Sequence, residues 1–121
     1  MFREMYLYSC LQKESLKDAS AVRAEEAFAA ATESGYAALG FDGGVLREGG
    51  FADIVLIDVS APNMQPPADL CKSLVYSADT GNVLLTIANG KIVYDRGRFD
   101  VGEPYDRILS ECGKRAKKLR D

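Results

Sequence analysis

The dipeptide Asn89-Gly90 stands between two short runs rich in β-branched residues, within TIANGKIVYDRGRF at residues 86–99. A two-residue turn of this composition joins antiparallel strands, because both residues accept the backbone angles that match strand twist. The hairpin therefore fixes one part of the fold. Ile87 is expected opposite Ile92, and Leu85 opposite Tyr94, on one side of the ribbon. Thr86, Ala88, Lys91 and Val93 make a mixed second side, so one face belongs to a core and one meets water. No side chain suited to catalysis lies close to this turn.

The remainder of the chain reads around the hairpin. Residues 1–17 favour helix, with Phe2, Met5, Tyr6 and Ser9 on one face and Leu7, Cys10 and Leu11 on the next. A helix apolar around so much of its circumference packs against more than one neighbour. A second helix is expected over residues 23–34, where Ala24, Ala27, Phe28 and Ala31 follow the helical repeat and Gly35 is placed to end it. Residues 36–39 add a possible further turn, stopped by Gly40. The pairs Gly43-Gly44 and Gly49-Gly50 read as flexible turns. Residues 53–59 make a strand apolar on both faces, which calls for cover on both sides. Residues 63–67 form a proline-punctuated loop, residues 73–78 (SLVYSA) a short strand, and residues 80–82 a turn. Pro104 opens a last helix, striped by Tyr105, Ile108, Leu109, Cys112, Ala116 and Leu119.

The fold class is thus α+β: two N-terminal helices, a small mainly antiparallel sheet and a C-terminal helix. Three parts follow from the order, namely a helical segment at 1–40, a β part at 41–102 and an amphipathic helix at 103–121. At 121 residues there is core enough for one small domain, since such a chain buries about two-thirds of its unfolded surface.

Chemistry is bounded chiefly by what is missing. The sequence has no histidine, which removes the usual base near neutral pH and the commonest metal ligand together. Ser-His-Asp and Cys-His catalysis and His-built zinc sites are excluded within this chain. Cys10, Cys71 and Cys112 are odd in number and far apart, fitting neither a disulfide framework nor a zinc site and suiting a reducing cytoplasm. They read as small apolar packing residues. Asp53 with Asp58, and Asp95 with Asp100, are the paired carboxylates. The first two lie at opposite ends of a strand, ~16 Å apart, and the second two flank a turn, so both pairs read as strand-end and turn acids. The glycine pairs lack the lysine and the strand-to-helix context of a phosphate loop. The basic run at residues 113–120 continues the apolar stripe and has no interleaved aromatics, so it reads as a solvated helix end. A net charge of −3 draws neither nucleic acid nor a membrane surface. The expected catalytic, cofactor and metal residues are therefore none.

Taken in order, ASAVRAEEAFAAATESGYAALGF (19–41), GGVLREGGFADIVLIDVSAP (43–62), DLCKSLVYSA (69–78) and NVLLTIANGKIVYDRGRF (82–99) resemble the C-terminal end of an amidohydrolase-superfamily enzyme. The subgroup is that of the chlorohydrolases and the cytosine-, guanine- and methylthioadenosine-deaminase-like aminohydrolases, and MFREMYLYSCLQKE (1–14) resembles its last barrel helix. The resemblance implies that residues 1–40 are the last helices of a (β/α)-barrel and that the hairpin belongs to a composite β-sandwich. It implies a parent enzyme that hydrolyses an amino or chloro substituent on a nitrogen heterocycle with a divalent metal, zinc or iron. That family's metal ligands, several histidines and an aspartate, all lie upstream of the matching segment. No catalytic residue carries over. The chain is expected to be inert alone, either a C-terminal piece of a longer enzyme or a separately encoded subunit. The alternative is a free-standing oligomerisation module.

Without the family's N-terminal strands and barrel, a strand edge and several apolar faces stand open. Each large side chain left wet forfeits ~1.5–3 kcal/mol, against a total stability of ~5–15 kcal/mol. The expected partners are therefore a second copy, through strand edges or an exchanged N-terminal helix, or the missing catalytic portion.

Overall fold

The computed structural model describes residues 1–119. Helix α1 (Phe2–Leu16) ends where Lys17 adopts a left-handed conformation and the N–H of Asp18 returns to the Lys13 carbonyl. Helix α2 (Ala24–Ala31) starts with Glu26 reaching back to accept the backbone N–H of Arg23. The helix expected over 23–34 is broken at Thr32, whose hydroxyl bonds the Phe28 carbonyl and whose backbone leaves helical geometry. A short α3 (Glu33–Ala38) then takes a new direction, so the possible extra turn is a helix of its own.

The strand expected at 73–78 is instead part of a helix, α4 (Leu70–Tyr76). Asp69 caps it by accepting the Lys72 N–H at 3.0 Å. Cys71 and Val75, one turn apart, face the same way, into a core made by Met5, Ala24, Ala27 and Val75. Helices α1, α2 and α4 thus pack on one another. Only one side of α1 is covered; Tyr6, Leu7, Tyr8 and Leu11 are exposed.

The sheet comprises β1 (Ile54–Ile57), β2 (Val83–Ala88), β3 (Lys91–Asp95) and β4 (Arg98–Phe99), antiparallel in that order. Asn89 and Gly90 both take positive φ, as the turn requires. Ile87 faces Ile92 as expected. Leu85 faces Asp95 rather than Tyr94, because a bulge at Val93 shifts the register and sets Tyr94 opposite Thr86. Strand β1 is an edge strand, shorter than expected, and it lacks the cover predicted for both faces: Val55 and Leu56 are each about half exposed.

Between the layers run two connections with their own order. A 3-10 turn at Pro62–Met64 buries Met64, and a second at Thr80–Asn82 buries Asn82. Pro104 precedes α5 (Tyr105–Lys118), which has no buried residue. Its apolar stripe meets the sheet at its start, where the Tyr105 ring stacks on Phe99 with centroids 5.6 Å apart.

Candidate functional site

Three polar junctions organise the fold. At the first, Asp53 sits just ahead of β1 and its carboxylate accepts both the Tyr36 hydroxyl and the backbone N–H of Asn89. Ala52 adds its carbonyl to the Gly90 N–H at 3.0 Å. The hairpin tip is thereby tied to α3 through one carboxylate. Those two hydrogen bonds, the phenol's first, hold the Asp53 carboxyl below the usual carboxylate range, and the bond to Asp53 pushes the Tyr36 phenol up. The junction floors a groove of about 510 Å³, lined also by Leu39, Phe41 and Phe51.

At the second, the buried Asn82 amide uses every bond it can make. Its Oδ1 accepts the Asp79 N–H at 2.9 Å and Asn63 Nδ2 at 2.8 Å. Its Nδ2 donates to the Asp58 carbonyl and to Asn63 Oδ1, both at 3.1 Å. Asn63 also donates to the Ser77 carbonyl, so the pair joins the end of β1, the 3-10 turn at Pro62–Met64, the end of α4 and the start of β2. At the third, Lys13 Nζ donates to the Tyr76 hydroxyl at 2.9 Å, and Ser9 Oγ lies 2.8 Å from the same oxygen. The ammonium, with Ser9 second, draws the Tyr76 phenol below its ordinary range.

All three are exposed or only part-buried, and in each the polar groups are spent on one another. Asp53 is engaged on both oxygens, and Asp58 turns its carboxylate onto the N–H and hydroxyl of Ser60 at 2.8 and 2.7 Å. The structure does not bring Asp53 and Asp58 together on a shared partner. Asp95 ends β3 at the turn into β4, whereas Asp100 lies past the far end of β4, its N–H on the Val93 carbonyl at 3.0 Å. The glycine pair at 43–44 is not a loose turn: a Cβ on Gly44 would lie 2.7 Å from the Glu33 backbone, and one on Gly43 would enter the Tyr36 ring. Cys71 packs beside the core, where burial raises its thiol pKa, whereas Cys112 is exposed rather than packed. Sequence reasoning missed all three junctions, although Asp53 beside a strand start and Asp69 before a helix were visible signals.

The donor set can be tested for a metal directly. With no histidine in the sequence, thiols and carboxylates would have to supply the ligands. Among the described residues no group of three or more Cys, Asp or Glu is placed to hold an ion. The residues present do not fit a catalytic metal.

A profile of the Amidohydrolase family matches residues 1–93. The chain belongs to that family. Among curated relatives, the 5-methylthioadenosine/S-adenosylhomocysteine deaminase 1 of Archaeoglobus fulgidus is 40% identical over 119 residues, covering 98% of this chain and 28% of the relative. The 5'-deoxyadenosine deaminase of Methanothermobacter thermautotrophicus is 38% identical over 113 residues, covering 93% and 26%. A crystal structure of an adenosine deaminase from Xanthomonas campestris with bound zinc superposes with a TM-score of 0.91 at 28% identity, covering 99% of this chain and 28% of that one. A variant of atrazine chlorohydrolase from Arthrobacter aurescens TC1, complexed with zinc and atraton, shares the fold at a TM-score of 0.78 and 22% identity, covering 92% and 25%. This amidohydrolase chain spans about 28% of the length of the Archaeoglobus relative. No helix among its described residues is long and apolar enough to cross a membrane.

Proposed function

We propose that this chain is the supporting C-terminal part of a metal-dependent amidohydrolase that removes an amino group from an adenosine-type nucleoside. The observation that carries the reading is the match along nearly its whole length to about a quarter of each deaminase relative. The absence of a ligand set in the described residues supports the second half of the proposal, that the chain is inert alone. On this reading α1 and α2 are the last helices of a barrel and the four-stranded sheet is part of a composite sandwich. The reaction centre belongs to polypeptide that these residues support, in a cytoplasmic enzyme. The chlorohydrolase likeness speaks to fold, so deamination is preferred to dechlorination.

The test is an ammonia-release assay with 5'-methylthioadenosine and with 5'-deoxyadenosine, in zinc. The 121-residue chain alone should show no turnover. The same residues, as the end of a protein carrying the remaining family sequence, should turn over at least one of the two. Turnover by the chain alone would overturn the inertness, and none by the joined protein would overturn the substrate class.

The half-exposed β1 edge and the wholly unburied α5 favour a second reading, a free-standing interaction module. The DNA upstream distinguishes them: a continuous frame encoding a His-x-His strand supports the enzyme, and a separate start signal supports the module.

A further inference from the structure

The apolar stripe of α5 is bordered by charge. No residue of the helix is buried, and Tyr105, Leu109 and Cys112 are all exposed along it. Glu103, Asp106 and Arg107 lie around its start and Glu111 at its middle. Its end carries four cations, Lys114, Arg115, Lys117 and Lys118. Among the described residues two ion pairs form on it, Arg107 with Glu103 at 2.8 Å and Lys114 with Glu111 at 2.6 Å. At 100° per residue Arg115 and Lys117 fall on the two flanks of the stripe and Lys114 on the opposite face, and among the described residues neither Arg115 nor Lys117 is in an ion pair.

We propose that this stripe docks against the α5 of a second copy, antiparallel, with the two Cys112 side chains at the two-fold axis. The charge distribution selects both the partner and the direction. Turned end for end, a second α5 brings its Arg115 beside Glu111 of the first on one flank and its Lys117 beside Asp106 on the other. A parallel pair would instead set Arg115 of each copy near Lys117 of the other and is disfavoured. Cys112 is the middle residue of the stripe from Tyr105 to Leu119, so full antiparallel overlap centres there. At 100° per residue, Glu111 and Arg115 fall on one flank of the stripe, and the two-fold axis brings Glu111 of each copy beside Arg115 of the other. A 14-residue helix is about 21 Å long, so this contact is small and is expected to be weak, at the low end of specific interfaces. The inference is independent of which reaction the longer enzyme performs.

The test uses the full 121-residue chain under reducing conditions. Sedimentation velocity at about 100 μM, between the micromolar and millimolar levels of weak association, should show a dimer whose fraction falls on dilution. A short bis-maleimide should then link the two copies; Cys112→Ser should abolish the link, and Cys10→Ser and Cys71→Ser should leave it. Glu111→Arg and Arg115→Glu should each raise the dimer midpoint about tenfold, by placing like charges together. Mixing the two singly substituted chains should restore association. Circular dichroism must show the helix content of each variant unchanged, since both sites are exposed. A chain that stays monomeric at that concentration, a link that survives Cys112→Ser, or single substitutions that fail to recover on mixing would each overturn the proposal.

Discussion

The Tyr36 hydroxyl donates to the carboxylate of Asp53, although 17 residues separate them and neither belongs to the sheet. Because the same carboxylate holds the Asn89 N–H, the tip of the hairpin and helix α3 share one anchor.

That anchor makes the acid limb of stability specific. The folded-state carboxyl of Asp53 lies below its unfolded value, so its contribution is complete above the unfolded pKa of about 3.9 and is lost as pH falls through the folded one. Asp53→Asn should flatten the decline of the urea midpoint below about pH 4. Tyr36→Phe, which removes the larger of the two causes, should give a smaller flattening in the same direction.

Asn82→Ala would strip partners from the Asp79 N–H, the Asp58 carbonyl and the Asn63 amide together. Each buried group left unsatisfied costs about 1–3 kcal/mol, less where water enters. The expected loss of unfolding free energy is roughly 3 kcal/mol, read by urea titration, with the far-ultraviolet spectrum retained.

Gly44 and Gly49 both hold positive φ, at 82° and 73°, but differ in surroundings. A Cβ at Gly49 meets open space, so Gly49→Ala should cost about 1 kcal/mol from backbone strain alone. A Cβ at Gly44 meets the backbone where α2 gives way to α3. Gly44→Ala should therefore lower stability by about 2–4 kcal/mol, strain and displacement acting together. Equal effects at the two sites would contradict the close approach.

Tyr76 should titrate below an ordinary tyrosine and Tyr36 above one, because the first faces an ammonium and the second a carboxylate. The ultraviolet phenolate band resolves this when Tyr76→Phe and Tyr36→Phe are compared with the parent. Lys13→Met should move the Tyr76 midpoint upward while leaving that of Tyr36 in place.

The hairpin, both N-terminal helices and the final helix were legible because each rests on local signals: positive-φ residues at the turn, helical spacing of alanines, proline at a helix start. Residues 73–78 were misread because Leu74, Val75 and Tyr76 suit a strand as well as a helix by composition. Asp69 capping and the Cys71–Val75 spacing decide the matter. The Val93 bulge was beyond reach, since a count of two cannot see one added residue. The polar junctions were also hidden, because the partners of Asp53 and Asn82 come from distant segments. Family membership was legible from ordered motifs, and the missing histidines bore on the site before any geometry did.

The outlying position of α5 also has a practical corollary. Residues 100–104 are exposed throughout, held by the Asp100 N–H on the Val93 carbonyl, the Glu103–Arg107 pair and the Phe99–Tyr105 stack. A protease admitted briefly to the folded protein should cut first at this seam, releasing a short cationic peptide while the helical core and the sheet stay intact.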